Sequence, residues 1–319
     1  MSFWDEPQHG ANSFNVRPPD TAYFKALSAT GATWLRLTFT KWQGEGQTFL
    51  LRNADQYNGL VAPDLKVLRS VLDRAHDAGI KVVVSPLSLL GSRWQQHNDG
   101  RLDDRLWRDK SYWDQAAAFW RGLASELKGH PAIAAHNILN EPAPERVLGL
   151  EENAPLAAVK QFQEKHAGTA GDLRAFYEGV RRAIRAVDAA TPVMVDAAGY
   201  YANLRNLAAW QAPLDGERVL YVFHMYEPYT ATSAPKRWRK DPLPYPGFTT
   251  RYDGGEILWD RDVVQGHMGL AFEWAKAHGL PATCIVAAEF GCLRTWNDCG
   301  TYLTDVLDGL TVNGGHWAF

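Results

Sequence analysis

The chain has 319 residues, 46% hydrophobic and 22% charged, enough apolar material for one large barrel or two ordinary domains and too much for a disordered polymer. Thirty-three basic residues against 36 acidic ones leave a formal net charge of -3, which argues against nucleic acid or an anionic membrane as partner. No stretch approaches the roughly 18 consecutive apolar residues of a membrane span.

Short apolar or β-branched runs alternate with amphipathic stretches along the whole chain, the pattern of repeated βα units on a parallel sheet. A strand-like run at 9–15 precedes a helical pattern at 19–30. The next strand, 32–39, leads to a helix at 63–79 that opens on Pro63-Asp64 and stops at Gly79. Strand 80–88 is followed by a helix at 111–129, and strand 133–140 by one at 173–189. Strand 193–200 leads to helix 204–210, and strand 219–226 to helix 261–279. Strand 283–290 and helix 299–310 bring the chain to a last strand at 315–319. Eight strands separated by seven helices predict a (β/α)8 TIM barrel, with residues 1–319 as a single catalytic domain. The chain stops inside the eighth strand, so the eighth helix is lacking. Truncation at Phe319 is expected in preference to a natural seven-helix barrel.

The three cysteines, Cys284, Cys292 and Cys299, are odd in number and lack a CxxC pair, which favours reduced thiols over a disulfide framework or a zinc site. A single Cys292–Cys299 bridge is the alternative. The opening MSFWDEPQHG has neither the basic nor the apolar region of a signal peptide. As written, the chain is expected in the cytoplasm, or outside the cell if a signal was removed.

In such a barrel the reactive groups sit at the C-terminal ends of strands. The fourth strand ends Asn140-Glu141-Pro142 and the seventh ends Glu289-Phe290-Gly291, so both deliver a carboxylate to one rim. Two carboxyl groups flanking an anomeric carbon are what glycosidic bond cleavage needs. His224 and Tyr226 share a face of the sixth strand, and His136, early in the fourth, reads as structural.

The LNEP at 139–142, the HMY at 224–226, the EFG at 289–291, Arg36 in GATWLRL and Trp317 together resemble glycoside hydrolase family 5, cellulase-like members of the clan A retaining β-glycosidases. The resemblance covers essentially the whole chain in the right order. It implies Glu141 as general acid/base, Glu289 as nucleophile and Asn140 as a donor to the sugar 2-hydroxyl. Arg36 and Tyr226 would donate to Glu289 and keep its pKa low, while a less polar setting and the field of Glu289 would raise that of Glu141. His224 would orient Glu141 or the sugar, and Trp317 would stack beneath it. Many relatives carry a histidine at the end of the third strand, where this chain reads Ser85-Pro86-Leu87-Ser88; Arg93, Gln95 and His97 are the candidates to replace it.

Thirteen tryptophans stand out. Trp107, Trp113, Trp120, Trp210 and Trp274 lie in or just before predicted helices and Trp34 lies in a strand, so packing accounts for them. Trp42, Trp94, Trp238, Trp259 and Trp296 follow strands and are expected to line an oligosaccharide cleft, because C–H faces of sugars pack on indole rings. The long connection 229–260, with KRWRK at 236–240, is expected to wall that cleft, and its MYEPYTAT opening is similar to bacterial endoglucanases. HExxH, P-loop, GxGxxG, GxSxG and EF-hand patterns are missing, and the ten histidines lack metal spacing. No metal or cofactor is expected.

The residues therefore point to a monomeric retaining glycosidase acting on a β-1,4-linked glucan or gluco-oligosaccharide. A β-mannanase or other β-glycanase is the alternative within enzymes. A non-hydrolytic carbohydrate-binding barrel is the alternative from another class.

Overall fold

The computed structural model describes residues 2–319 except 47, 153, 200, 201, 234–242 and 251–254, and of His97 and Thr250 only the backbone. Eight parallel strands close into a barrel: β1 (His9–Ser13), β2 (Trp34–Leu37), β3 (Lys81–Val84), β4 (Ile133–Asn137), β5 (Val193–Asp196), β6 (Val219–Met225), β9 (Ile285–Phe290) and β10 (His316–Ala318). This is the predicted (β/α)8 barrel, with each strand shorter than its apolar run. Between β6 and β9 lies an antiparallel hairpin, β7 (Gly247–Thr250) and β8 (Glu256–Trp259), inside the segment read as a plain loop.

The outer layer is built from α1 (Thr21–Ala29), α2 (Ala62–Asp77), α3 (Ser111–Leu127), α6 (Leu173–Arg185), α7 (Leu204–Ala208), α9 (Arg261–Ala277) and α10 (Cys299–Asn313), matching the seven predicted helices. Three short helices were not predicted: α4 (Pro144–Leu148), α5 (Leu156–His166) and α8 (Tyr229–Thr232). Side chains of Asp20, Asp172 and Asp260 cap α1, α6 and α9 by accepting the N–H groups of Tyr23, Ala175 and Val263.

Strand side chains alternate between the helix layer and the barrel interior. The interior at the N-terminal end is apolar, with Trp34, Val83, Ala135, Met194, Val222 and Val286 in one cluster. Trp4 closes this floor: its ring meets Trp34 edge-on at 5.3 Å and its Nε1 donates to Ala134 O at 3.0 Å. Gly10 faces the same layer, and a Cβ there would lie 2.6 Å from the Trp34 indole, so only glycine admits that ring.

Cys292 and Cys299 form a disulfide, and Cys284 is a buried free thiol. This corrects the expectation of reduced thiols. Spacing alone does not reveal that the turn after β9 returns the chain so that these two Cα atoms lie 5.8 Å apart.

Candidate active site

Two residues beyond the apolar floor on four of the strands, the interior side chains become polar. Trp34 gives way to Arg36, Ala135 to Asn137, Met194 to Asp196 and Val222 to His224, all buried. Arg36 is the hub, fully enclosed at 0% exposure. Its Nε donates to Asn137 Oδ1 at 2.9 Å, its Nη1 to Glu289 Oε1 at 2.6 Å, and its Nη2 to Asn140 Oδ1 at 2.7 Å and Asp196 Oδ2 at 3.1 Å. A guanidinium supplies five fixed donors, which is why one arginine can serve four acceptors converging from three strands.

Glu289 reaches this cluster because of a register shift. Phe223 pairs with Ala287, but His224 pairs with Glu289, so Ala288 is an extra residue on β9. Strict alternation would turn Glu289 outward. The bulge turns it into the mouth, where Tyr226 Oη donates to its Oε2 at 3.0 Å.

Glu141 follows β4 in a left-handed conformation, φ 46°, and its N–H donates to Asp196 Oδ2 at 3.0 Å. Its Oε1 lies 2.8 Å from His224 Nδ1. One donor atom each from Glu141, His224 and Glu289 lie within 4.8 Å of one another, so the two carboxyl groups face each other closely. Arg36 already brings a fixed positive charge to this trio, and the cluster is not read as a metal site.

Burial dominates the titration of both carboxyls. It pushes Glu141 up to about 8, helped by the charge of Asp196 and opposed by Arg36 and Asn140. The charge of Asp196, a residue not singled out from the sequence, thus adds to the mutual repulsion of Glu141 and Glu289. Glu289 is itself raised, chiefly by burial and also by the charges of Glu141 and Asp196, against the pull of His224 and Arg36, so the expectation that it is held low is corrected. Its donors compete with loss of water instead of acting alone. Glu289 accepts from a guanidinium and a phenol, whereas among the described residues Glu141 meets no fixed cation at hydrogen-bond distance, so a proton entering the pair rests on Glu141. His224, buried, is driven toward its neutral form.

Arg36, Asn140, Glu141, His224, Tyr226 and Glu289 are therefore brought together as predicted. Asp196 and Asn137 were missed, although both follow from counting two residues beyond the apolar interior positions Met194 and Ala135. At the third strand, Ser85 fills the interior and donates to Asn137 Oδ1 at 2.8 Å. Arg93 does not replace the absent histidine, since Asp103 and Asp55 engage its guanidinium. Gln95 is exposed, and the side chain of His97 lies outside the described residues. His136 is buried and structural, 3.8 Å from Asp188.

The aromatic predictions divide. Trp94 borders a cleft shared with Glu141, Trp107 and Arg146, and the Arg146 guanidinium lies 5.0 Å from its ring centre. Trp42, Trp259 and Trp296 are only 3, 8 and 3% exposed and are corrected to packing residues. Trp42 packs on Phe39 and Phe49, Trp259 on His267, and Trp296 on Tyr245 and Tyr302. Trp317 is likewise corrected. It lies between the interior residues His316 and Ala318, faces outward and stacks on His9 with centroids 4.5 Å apart. Trp238 and the KRWRK run lie outside the described residues.

A paired carboxyl site at the C-terminal mouth of a (β/α)8 barrel is chemistry suited to glycosidic bonds, and a model of the cellulase family, glycosyl hydrolase family 5, matches residues 5–319. The chain belongs to that family. It is a glycoside hydrolase. No curated protein sequence matches it significantly. Solved structures of the same fold include a glycoside hydrolase with TM-score 0.72 at 19% identity, covering 98% of this chain and 88% of the other. Endoglucanase Cel5A from the hyperthermophilic Thermotoga maritima gives 0.68 at 16% identity, with 98% and 88% covered. Thermotoga maritima Cel5A in complex with mannotriose gives 0.66 at 14% identity, with 98% and 90% covered. At these identities the likeness to individual members of the cellulase family is one of fold.

Proposed function

We propose that this glycoside hydrolase is a retaining endo-β-1,4-glucanase acting on β-linked oligo- or polysaccharides by double displacement. The observation that carries the retaining mechanism is the close approach of the Glu141 and Glu289 carboxyls, with oxygens within 4.8 Å. Inverting pairs stand roughly 6.5–9.5 Å apart to admit a water, and retaining pairs about 5–5.5 Å.

In the first step, a Glu289 oxygen attacks the anomeric carbon. The bond to the leaving oxygen breaks as Glu141 protonates that oxygen, giving a glycosyl-enzyme and a free sugar end. In the second step, ionised Glu141 takes a proton from water, whose oxygen attacks the same carbon and releases Glu289. Arg36 and Tyr226 hold the Glu289 carboxylate for in-line attack. Asn140 turns its oxygen to Arg36, which only donates, so its amide N–H groups are left for Glu141 and the sugar 2-hydroxyl. Trp94 supplies an apolar platform on the leaving-group side of Glu141.

A mannan-type substrate is the second reading, supported by the structural neighbour solved with mannotriose. The Cys292–Cys299 disulfide supports an oxidising compartment as the place of action, where polysaccharides are met. The test is reducing-sugar release from β-glucan, mannan, xylan and xyloglucan, with proton NMR of the first anomer formed. Release of the β-anomer from glucan alone is the expected result; an initial α-anomer overturns retention, and binding without turnover by folded protein overturns hydrolysis.

A further inference from the structure

His224 sits between three carboxyl groups. Its Nδ1 lies 2.8 Å from Glu141, while its Nε2 lies 3.6 Å from Asp196 Oδ2 and 3.7 Å from Glu289 Oε1, with no hydrogen-bond partner of its own among the described residues. A neutral imidazole carries one N–H, so two tautomers compete. With the proton on Nδ1, the ring donates to an ionised Glu141 and the Nε2 lone pair faces two carboxylates. With the proton on Nε2, that N–H points at both carboxylates and Nδ1 is free to accept from protonated Glu141. The second arrangement replaces a repulsion with an attraction in a buried site, where such terms are weakly screened.

Asp196 is built to impose this choice. It is 0% exposed and accepts three hydrogen bonds, from Arg36 Nη2 at 3.1 Å, Asn137 Nδ2 at 2.7 Å and the Glu141 N–H at 3.0 Å. The last of these also pins Glu141 in its left-handed conformation, which a non-glycine residue keeps only when its surroundings enforce it. We propose that Asp196 is a positioning residue that keeps the catalytic proton on Glu141, by selecting the Nε2–H form of His224 and by clamping the Glu141 main chain.

The other charged or titratable groups around this pair are accounted for. Arg36 from β2, Tyr226 just beyond β6 and Glu289 from β9 face His224. Tyr229 of α8 reaches Glu141 electrostatically, and Arg93, Asp103 and Arg146 border its cleft. Asp196 differs from all of these in touching the Glu141 backbone while also facing the far nitrogen of the histidine.

This inference rests on Glu141 as the acid, and the experiment separates the two. Asp196→Asn is compared with wild type and Glu141→Gln in kcat/KM against pH, with circular dichroism to verify folding. Asp196→Asn is expected to weaken the hold on the proton about tenfold or more, moving the alkaline limb down by about one pH unit or more. An unmoved limb in a folded Asp196→Asn protein that still depends on Glu141 overturns the inference alone. Full activity in Glu141→Gln overturns the underlying reading instead. Nitrogen-15 NMR of wild-type His224 at neutral pH gives a second readout that needs no variant: Nε2–H supports the inference and Nδ1–H overturns it.

Discussion

The two ends of the barrel interior are made by the same strands and obey opposite rules. At the floor, Trp4, Trp34, Val83, Ala135 and Met194 pack without a charge among them. One alternation period higher, Arg36, Asn137, Asp196, His224 and Glu289 form a continuous polar network. The floor stabilises by excluding water. At the mouth, buried charges lose their hydration and recover it only in part through hydrogen bonds, so that layer serves chemistry more than stability.

Substitutions at the two ends should therefore separate activity from stability. Glu289→Gln at the mouth is expected to lower kcat by at least about a thousandfold, with the thermal midpoint within a few degrees of wild type; a comparable loss of stability would show the mouth to be structural. Trp34→Ala at the floor is expected to cost about 3–5 kcal/mol in denaturant unfolding while leaving the pH profile of activity in place. A moved profile would show that the floor positions the network. Breaking the Cys292–Cys299 bridge with Cys292→Ser and Cys299→Ser, outside both layers, should cost about 2–3 kcal/mol.

The pH response sharpens the contrast further. Glu141 titrates higher in the fold than in the unfolded chain, at about 8 against 4.5, so its contribution to stability is complete below about pH 4.5 and is lost as pH rises toward 8. Over the same rise activity should decline as the acid loses its proton, falling about tenfold per unit beyond pH 8. Glu141→Gln should remove its share of the stability slope, measured by urea unfolding at pH 5 and 8. The smallest effect is expected at the rim of the mouth, where Trp94→Ala should raise KM about five- to tenfold with kcat nearly unchanged.

The contrast between layers was partly legible in the chain. Glu141 and Glu289 stood out because each ends an apolar run, and Arg36 because a charge inside a strand needs a compensating partner. Asp196 ends the run Val193–Asp196 in the same way, but an aspartate at a strand end also reads as an ordinary turn residue. The loop tryptophans failed for a different reason. Periodicity says that Trp42, Trp259 and Trp296 follow strands, but whether a loop opens or folds back is decided by distant partners such as Phe49, His267 and Tyr302. Hairpin β7–β8 was missed because each arm is only four residues long, too short for alternation to register. The disulfide needed the path of the chain beyond β9, which spacing does not encode.

The slip at Ala288 has a consequence for anyone wishing to move this chemistry to another scaffold. The facing of Glu289 is a property of β9 and β6 together, since only the displaced pairing of His224 with Glu289 turns the carboxylate inward. Grafting the strand residues, Ala288 included, onto a regularly paired barrel would keep every catalytic letter while presenting the carboxylate to the helices. The smallest transferable unit is therefore a pair of neighbouring strands with their mismatch intact, and a catalogue of motifs that omits the mismatch describes an inert copy.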